Sequence, residues 1–318
     1  MSSFKNLRIV DNFYQTSLFF PMPTLLIGTL APDGATTLGA YSLCFPYYVA
    51  GKDYYAMLLE CRNSSNTAQN ILRTGTCSLN FLPDGKKLFV ETVRLGFPGE
   101  TSEEKMAKSF LVMEEGIACK DDPEGVTRPQ VLCDAFQVME CSWDSGLENA
   151  YEDKARIGQI EGVEPPYRSF NGVTSQFGAH FILKIDRILM KERQYNAIVN
   201  GVSAGSFPKI PVDYGYRDSR AFWYTRFPHP KSAPIPCKPG MDVATVQYAA
   251  DRTDPEFVFT PEASQMLVKI PRIFLKAALN GIVEQARSMN LQRVDGKVIV
   301  DAKLVELIND KRKEEKAK

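Results

Sequence analysis

Short apolar runs rich in β-branched and aromatic residues recur along most of this chain. Each is bounded by polar or turn-forming residues, and the spacing becomes helical towards the C-terminus. Residues 24–30 (TLLIGTL) form the first run. Ala31-Pro32-Asp33-Gly34 follows, a turn in which Pro presets φ and Gly accepts positive φ. Residues 36–45 read as the returning strand. Further strands are expected over residues 54–61 (YYAMLLEC), 77–82 (CSLNFL), 137–143, 180–190 and 220–225 (RAFWYT). One short helix is expected over 67–73, stopped near Gly75. A second is expected to open at Ser102, with Glu103 and Glu104 in its first turn and Met106, Phe110, Val112 and Met113 behind them.

Two stretches, 120–129 and 145–178, read as loops or excursions, the second rich in Gly, Pro and charge. Residues 227–239 (FPHPKSAPIPCKP) read as an extended connection. Thr260-Pro261-Glu262 then carries a helix start: N-cap, Pro at the first helical position, acid in the first turn. Pro271 opens a second helix, with Phe274, Ala278, Ile282, Gln285 and Met289 at helical spacing, and a third runs over 300–310. The end, KRKEEKAK, reads as a frayed, solvated tail. These signals divide the chain into a β-rich domain over 1–226, a Pro-rich connection over 227–259 and a small helical C-terminal module over 260–318.

With 318 residues there is ample length for a sizeable core. The 38 basic and 38 acidic residues cancel, so nothing steers the chain towards nucleic acid or an anionic membrane. No apolar run reaches the length of a membrane span. The start, MSSFKNLRIVDN, lacks the apolar stretch and cleavage site of a signal peptide, so a cytoplasmic location is expected. The seven cysteines include no CxxC pair, and several sit inside apolar runs, which predicts buried, reduced thiols. With only His180 and His229 as imidazoles, no metal site is expected.

The segment 36–80 carries the candidate chemistry. A strand ends in Gly39-Ala40-Tyr41-Ser42-Leu43-Cys44, where small residues admit a flat ring close to the backbone. The next strand ends in Cys61, and Arg62-Asn63-Ser64-Ser65-Asn66-Thr67 leads into a helix. Unpaired N–H groups, a favourable dipole, hydroxyl donors and a forked guanidinium would suit a phosphate there. The same Ser, Asn and Thr residues also serve as ordinary caps and turn formers.

The runs FPMPTLLIGTLAPDG, TTLGAYS and YYAMLLECRNSSNTAQNILRTGTCSLNFL resemble the flavin reductase-like family of FMN-binding split barrels. RPQVLCDAFQVMECSWD and GAHFILKIDRILM resemble that family's later strands. The match spans residues 21–225, and the order of several weak motifs carries it. The resemblance implies a mainly β (α+β) fold, an antiparallel split β-barrel with peripheral helices. It implies that Ala40, Tyr41, Ser42 and Leu43 lie along an isoalloxazine ring and that Arg62, Asn63, Ser64 and Thr67 hold the phosphate of FMN. His180 falls where relatives place a catalytic His near flavin or nicotinamide, but it follows Gly-Ala, and a strand-edge histidine capped by a carbonyl fits as well. Lys105 matches a family lysine and equally a solvated helix lysine. Residues 259–290 resemble the small helical module of a light-independent protochlorophyllide reductase subunit, a compact appendage with no assignable chemistry.

The implied activity is a flavin reductase-type oxidoreductase, with NAD(P)H as possible substrate and bound FMN passing electrons to a flavin or other acceptor. Two alternatives remain open: a flavin-carrying electron-transfer protein without a nicotinamide site, loaded by a redox partner, and a non-catalytic binding protein on the same barrel. A homodimer is expected, because barrels of this type complete the flavin pocket with a second chain.

Overall fold

The computed structural model describes residues 22–47, 55–97, 100–116, 126–146, 170–200, 203–217, 221–226, 242–289 and 291–316. Contacts divide the chain into two compact units, Met1–Ser232 and Ala233–Lys318. In the first, the elements are β1 (Met22–Pro23), β2 (Leu25–Leu30), β3 (Thr36–Tyr41), β4 (Cys44–Tyr47), β5 (Ala56–Arg62), α1 (Asn66–Thr74), β6 (Thr76–Phe81), α2 (Lys86–Gly96) and α3 (Ser102–Ala107). They continue with β7 (Met113–Glu114), β8 (Val131–Leu132), β9 (Gln137–Trp143), β10 (Gly172–Val173), β11 (Gly178–Met190), α4 (Glu192–Asn200), β12 (Pro211–Arg217) and β13 (Phe222–Arg226).

An eight-stranded antiparallel sheet runs in the order β3-β2-β6-β9-β11-β5-β4, with β10 added on β11. Its two ends, β3 and β4, are consecutive in the chain and joined by Ser42 and Leu43 alone. Three peptide steps reach at most roughly 11 Å, whereas seven flat strands would set their edges about 29 Å apart. The sheet therefore curls back on itself into an antiparallel split β-barrel. The expected single strand over 36–45 breaks at this closure, because one straight strand could not belong to both ends of a curled sheet.

Strand alternation builds two cores from one sheet. Leu25, Ile27, Met57, Leu59, Leu79 and Phe181 point inward and pack with Ala68 and Ile71 of α1. Leu26, Leu38 and Val138 point outward and pack under Leu95 of α2 and Leu111, Val131 and Leu132. Cys61, Cys77 and Cys141 are buried and unbridged in the inner core, as their apolar settings predicted. Burial pushes the Cys44 thiol up, and raises Cys61 to about 11. Cys119 and Cys237 lie outside the described residues.

The expected helix from Ser102 is shorter, and its N-cap lies one residue earlier than Ser102. Thr101 is the N-cap, in a capping box with Glu104, and the helix ends at Ala107. Phe110 and Val112 lie beyond it, exposed, and Met113 enters β7. Helices α2 and α4 and strand β12 arise where no element was expected. Of the 145–178 excursion, residues 145–146 and 170–178 are described, the latter including β10 and the first residue of β11; 147–169 lie outside the described residues, as does 227–239.

The second unit contains α5 (Val243–Ala250), β14 (Phe257–Phe259), α6 (Pro261–Leu267), α7 (Arg272–Ser288), β15 (Arg293–Val294), β16 (Lys297–Val300) and α8 (Ala302–Lys316). Thr260 caps α6 through its hydroxyl and Pro271 caps α7, as the sequence predicted. Two expectations need correction. Residues 242–259 are not part of a connection: Val246, Ala250, Phe257 and Phe259 are buried in this unit's core beside Leu279 and Ile282. The module is also not purely helical, since β14 pairs in parallel with β16 and β15 pairs antiparallel with it. Asp295 and Gly296, both at positive φ (51° and 76°), make the β15–β16 turn. The charged tail continues α8 to Lys316 rather than fraying.

Candidate functional site

The turn from β5 into α1 begins with the Ser65 N–H donating to the Arg62 carbonyl at 3.0 Å. Ser65 is the N-cap, its hydroxyl accepting from the Ala68 N–H at 3.1 Å. The first intrahelical bond is Gln69 N–H to the Ser65 carbonyl. That leaves the N–H groups of Asn66 and Thr67 without a partner among the described residues, at the positive end of a nine-residue helix. Gly75, at φ 70°, closes the other end.

The sequence-predicted phosphate residues divide by what already holds them. Arg62 and Ser64 are exposed, and Arg62 has no ion-pair partner among the described residues. Asn63 is committed to structure: its amide donates to the Ser175 and Gln176 carbonyls, and its own N–H donates to Phe177. Thr67 is buried, with its hydroxyl turned towards β3. There the Tyr41 hydroxyl is hydrogen-bonded to the side chains of Ser65 and Thr67, while burial raises the Tyr41 pKa. Gly39 makes this possible, because a Cβ there would stand 2.7 Å from Thr67 Oγ1 and 2.9 Å from Tyr41 Cε2. The end of β3 is thus tied to the α1 N-terminus through Tyr41, and the main-chain bond from Glu60 to Leu43 (2.9 Å) ties β4's start to β5.

Ala40 lies on the outer face of β3, against the C-terminal end of α2, where a Cβ on Gly96 would come within 3.4 Å of Ala40. A cleft of about 210 Å³ opens here, with Ala40, Tyr41 and Ser42 on one side and Val93, Gly96 and Phe97 on the other. Thr24 and Asp213 complete it. They arrive together because β1 pairs with β12, placing Met22 opposite Asp213. Neither had drawn attention in the sequence; a threonine beside a strand and an aspartate in an unexpected strand carry no local signal.

His180 stands elsewhere. Its neighbours Ala179 and Phe181 point into the barrel, so His180 faces out, opposite Glu60 and Gly172. Its Nδ1 lies 2.6 Å from Thr174 Oγ1 and its ring stacks on Phe170 at 4.3 Å. Register puts Glu60 opposite His180, and the Glu60 N–H bond to the Leu43 carbonyl extends that row to the residue before β4, roughly 10 Å from first to last. Lys105 donates to the Leu95 carbonyl at 3.0 Å, its pKa lowered by burial, so it is not simply a solvated lysine. Among the described residues, no group of three or more His, Cys, Asp and Glu side chains is placed to hold a metal. No described helix is long and apolar enough to cross a membrane.

No protein-family model and no curated protein matches the chain. Among solved structures it is similar to the 2-nitrobenzoate 2-nitroreductase of Pseudomonas fluorescens, at 13% identity and a TM-score of 0.48 over 72% of this chain and 93% of that one. It is similar to the flavoredoxin of Methanosarcina acetivorans at 17% identity and 0.45, over 73% and 96%. It is also similar to an FMN-binding protein from Thermus thermophilus at 14% identity and 0.44, over 74% and 100%. At this distance neither cofactor nor chemistry transfers, and the site has to be read from its own residues.

Proposed function

We propose that the chain binds FMN and acts as a flavin reductase-like oxidoreductase, drawing on NAD(P)H and delivering electrons to a flavin or other acceptor. The observation that carries this reading is the α1 N-terminus, where, among the described residues, two N–H groups have no partner and the exposed Arg62, without an ion-pair partner, stands in the same turn. Arg62, Ser64 and the Asn66 and Thr67 N–H groups would hold the phosphate. The backbone from Ala40 to Leu43 would lie along the ring. Bound FMN supplies hydride and electron transfer; the protein's part is to orient it and keep a second planar ligand in reach. Tyr41 serves that orientation by fixing the end of β3 to the phosphate turn.

The phosphate end fits the cofactor. The cleft, at about 210 Å³, is smaller than the roughly 300–1,000 Å³ of most ligand pockets. A homodimer, in which a second copy supplies further walls, answers that shortfall, and Phe45 and Phe177, exposed near the row of Leu43 and His180, give it apolar surface to cover. We place the protein in the cytoplasm.

Titration of the purified protein with FMN, riboflavin and FAD, followed by flavin absorbance and fluorescence, tests this. FMN should bind more tightly than riboflavin, and tight FAD binding without FMN binding overturns the reading. NADH and NADPH oxidation by the FMN-loaded protein then separates a reductase from an electron carrier, and light scattering tests the dimer.

A further inference from the structure

We infer that the Thr24 hydroxyl hydrogen-bonds the pyrimidine end of the flavin ring and so decides which end of the ring enters the cleft between β3 and α2, an inference that rests on the flavin reading above. Thr24 lines the cleft, yet its Oγ1 is shut off from water and has no hydrogen-bond partner among the described residues. A buried polar atom left unpaired costs free energy that a ligand able to pair with it recovers. A turn about χ1 exchanges the methyl and the hydroxyl at the cleft wall and breaks no hydrogen bond, so this group is free to meet a ligand. Asp213, on the same wall, is already engaged within the protein.

Strand pairing fixes where Thr24 stands. Pro23 before it pairs with Val212 of β12, and Leu25 after it pairs with Tyr41 of β3 and Phe81 of β6. One further step of the β2–β3 register brings Thr24 beside Ser42, and strand parity puts both on the outer face with Leu26 and Ala40. Thr24 therefore adjoins the stretch 40–43 along which the ring lies in that reading. None of the phosphate-turn residues 62–67 lines the cleft, so the hydroxyl addresses the ring and not the phosphate.

Size and chemistry select the end of the ring. A cavity of about 150 Å³ holds benzene, so about 210 Å³ takes one six-membered ring with small substituents and not all three rings of a flavin. The dimethylbenzene end has no hydrogen-bonding group. The pyrimidine end has an N–H between two carbonyls, and a threonine hydroxyl both donates and accepts. Thr24, Ser42 and Asp213 make this a polar wall, which suits the pyrimidine end and would leave the dimethylbenzene end with nothing to pair.

Fluorescence titration of the full chain with FMN, riboflavin and 3-methylriboflavin tests the inference. Thr24→Val keeps the side-chain shape without the hydroxyl, and should weaken FMN and riboflavin by the same factor, about threefold to tenfold. Thr24→Ser restores the hydroxyl and should bind both within about twofold of the parent. The visible absorption band of the bound flavin should shift in Thr24→Val and return in Thr24→Ser, which a purely structural role would not produce. 3-Methylriboflavin, blocked at the pyrimidine N–H, should bind the parent at least about fivefold more weakly than riboflavin. That arm needs no substitution and decides the question if Thr24→Val does not fold. A folded Thr24→Val that binds riboflavin as the parent does, or 3-methylriboflavin that binds the parent as riboflavin does, overturns the inference and leaves the flavin reading standing. A parent protein that binds neither FMN nor riboflavin overturns the flavin reading and this inference with it.

Discussion

Two helix ends meet the end of β3, and they face it with opposite polarity. Among the described residues, the N-terminus of α1 presents two N–H groups without a partner, with the exposed Arg62 in the same turn; the C-terminus of α2 borders a cleft that Asp213 and Thr24 also line. Tyr41 belongs to both, lining the cleft and reaching Ser65 and Thr67 with its hydroxyl. The same backbone physics thus leaves amide donors at one end and carbonyls at the other within about one tyrosine of each other. The lesson concerns side chains: each end is flanked by one charged residue supplied by a neighbouring strand, Arg62 from β5 and Asp213 from β12.

That contrast is open to perturbation at either end. The largest effect is expected for Arg62→Ala, which removes a charge-assisted contact worth about 1.5–3 kcal/mol, or roughly one to two decades of FMN affinity. Riboflavin, which has no phosphate, should bind the variant as it binds the parent. Equal losses for the two flavins would show that Arg62 acts on the fold and not on the phosphate.

Gly39→Val should act on the joint between the two ends. Its Cβ would collide with Thr67 Oγ1 and Tyr41 Cε2, so a destabilisation of about 1–3 kcal/mol is expected, read as a lower melting temperature. The smallest effect is expected for replacing the N-cap: Ser65→Ala should cost about 1 kcal/mol of stability, read as a lower melting temperature, and should weaken FMN because the cap shapes the phosphate turn; unchanged stability and FMN affinity would show that the cap does not hold that turn.

Much of the chain's local structure was legible because its signals are local. The Ala31–Gly34 turn, the Gly75 stop and the Thr260-Pro261 start all act within a few residues. The strand over 137–143 emerged with the expected bounds. The helix α2 was missed because KKLFVETVRLG shares its β-branched and aromatic content with a strand. It is helical because Phe89 and Leu95 are buried there. The stretch 242–259 read as linker because the Pro-rich run before it dominated the composition, while Val246, Phe257 and Phe259 are too widely spaced to announce a core.

For the candidate site the division is similar. By itself the sequence determined the turn from β5 into α1 and its cap, since these depend on consecutive residues and on the N–H groups that any helix start exposes. It also determined that small residues end β3. Only the tertiary structure decided that Asn63 and Thr67 are spent on internal contacts, that His180 faces away with Phe170 and Thr174, and that Thr24 and Asp213 come to line one cleft through the pairing of β1 with β12. The reason is that strand pairing joins residues far apart in the chain, and a strand's parity assigns each side chain to one face or the other. Neither can be read from a residue's own neighbours.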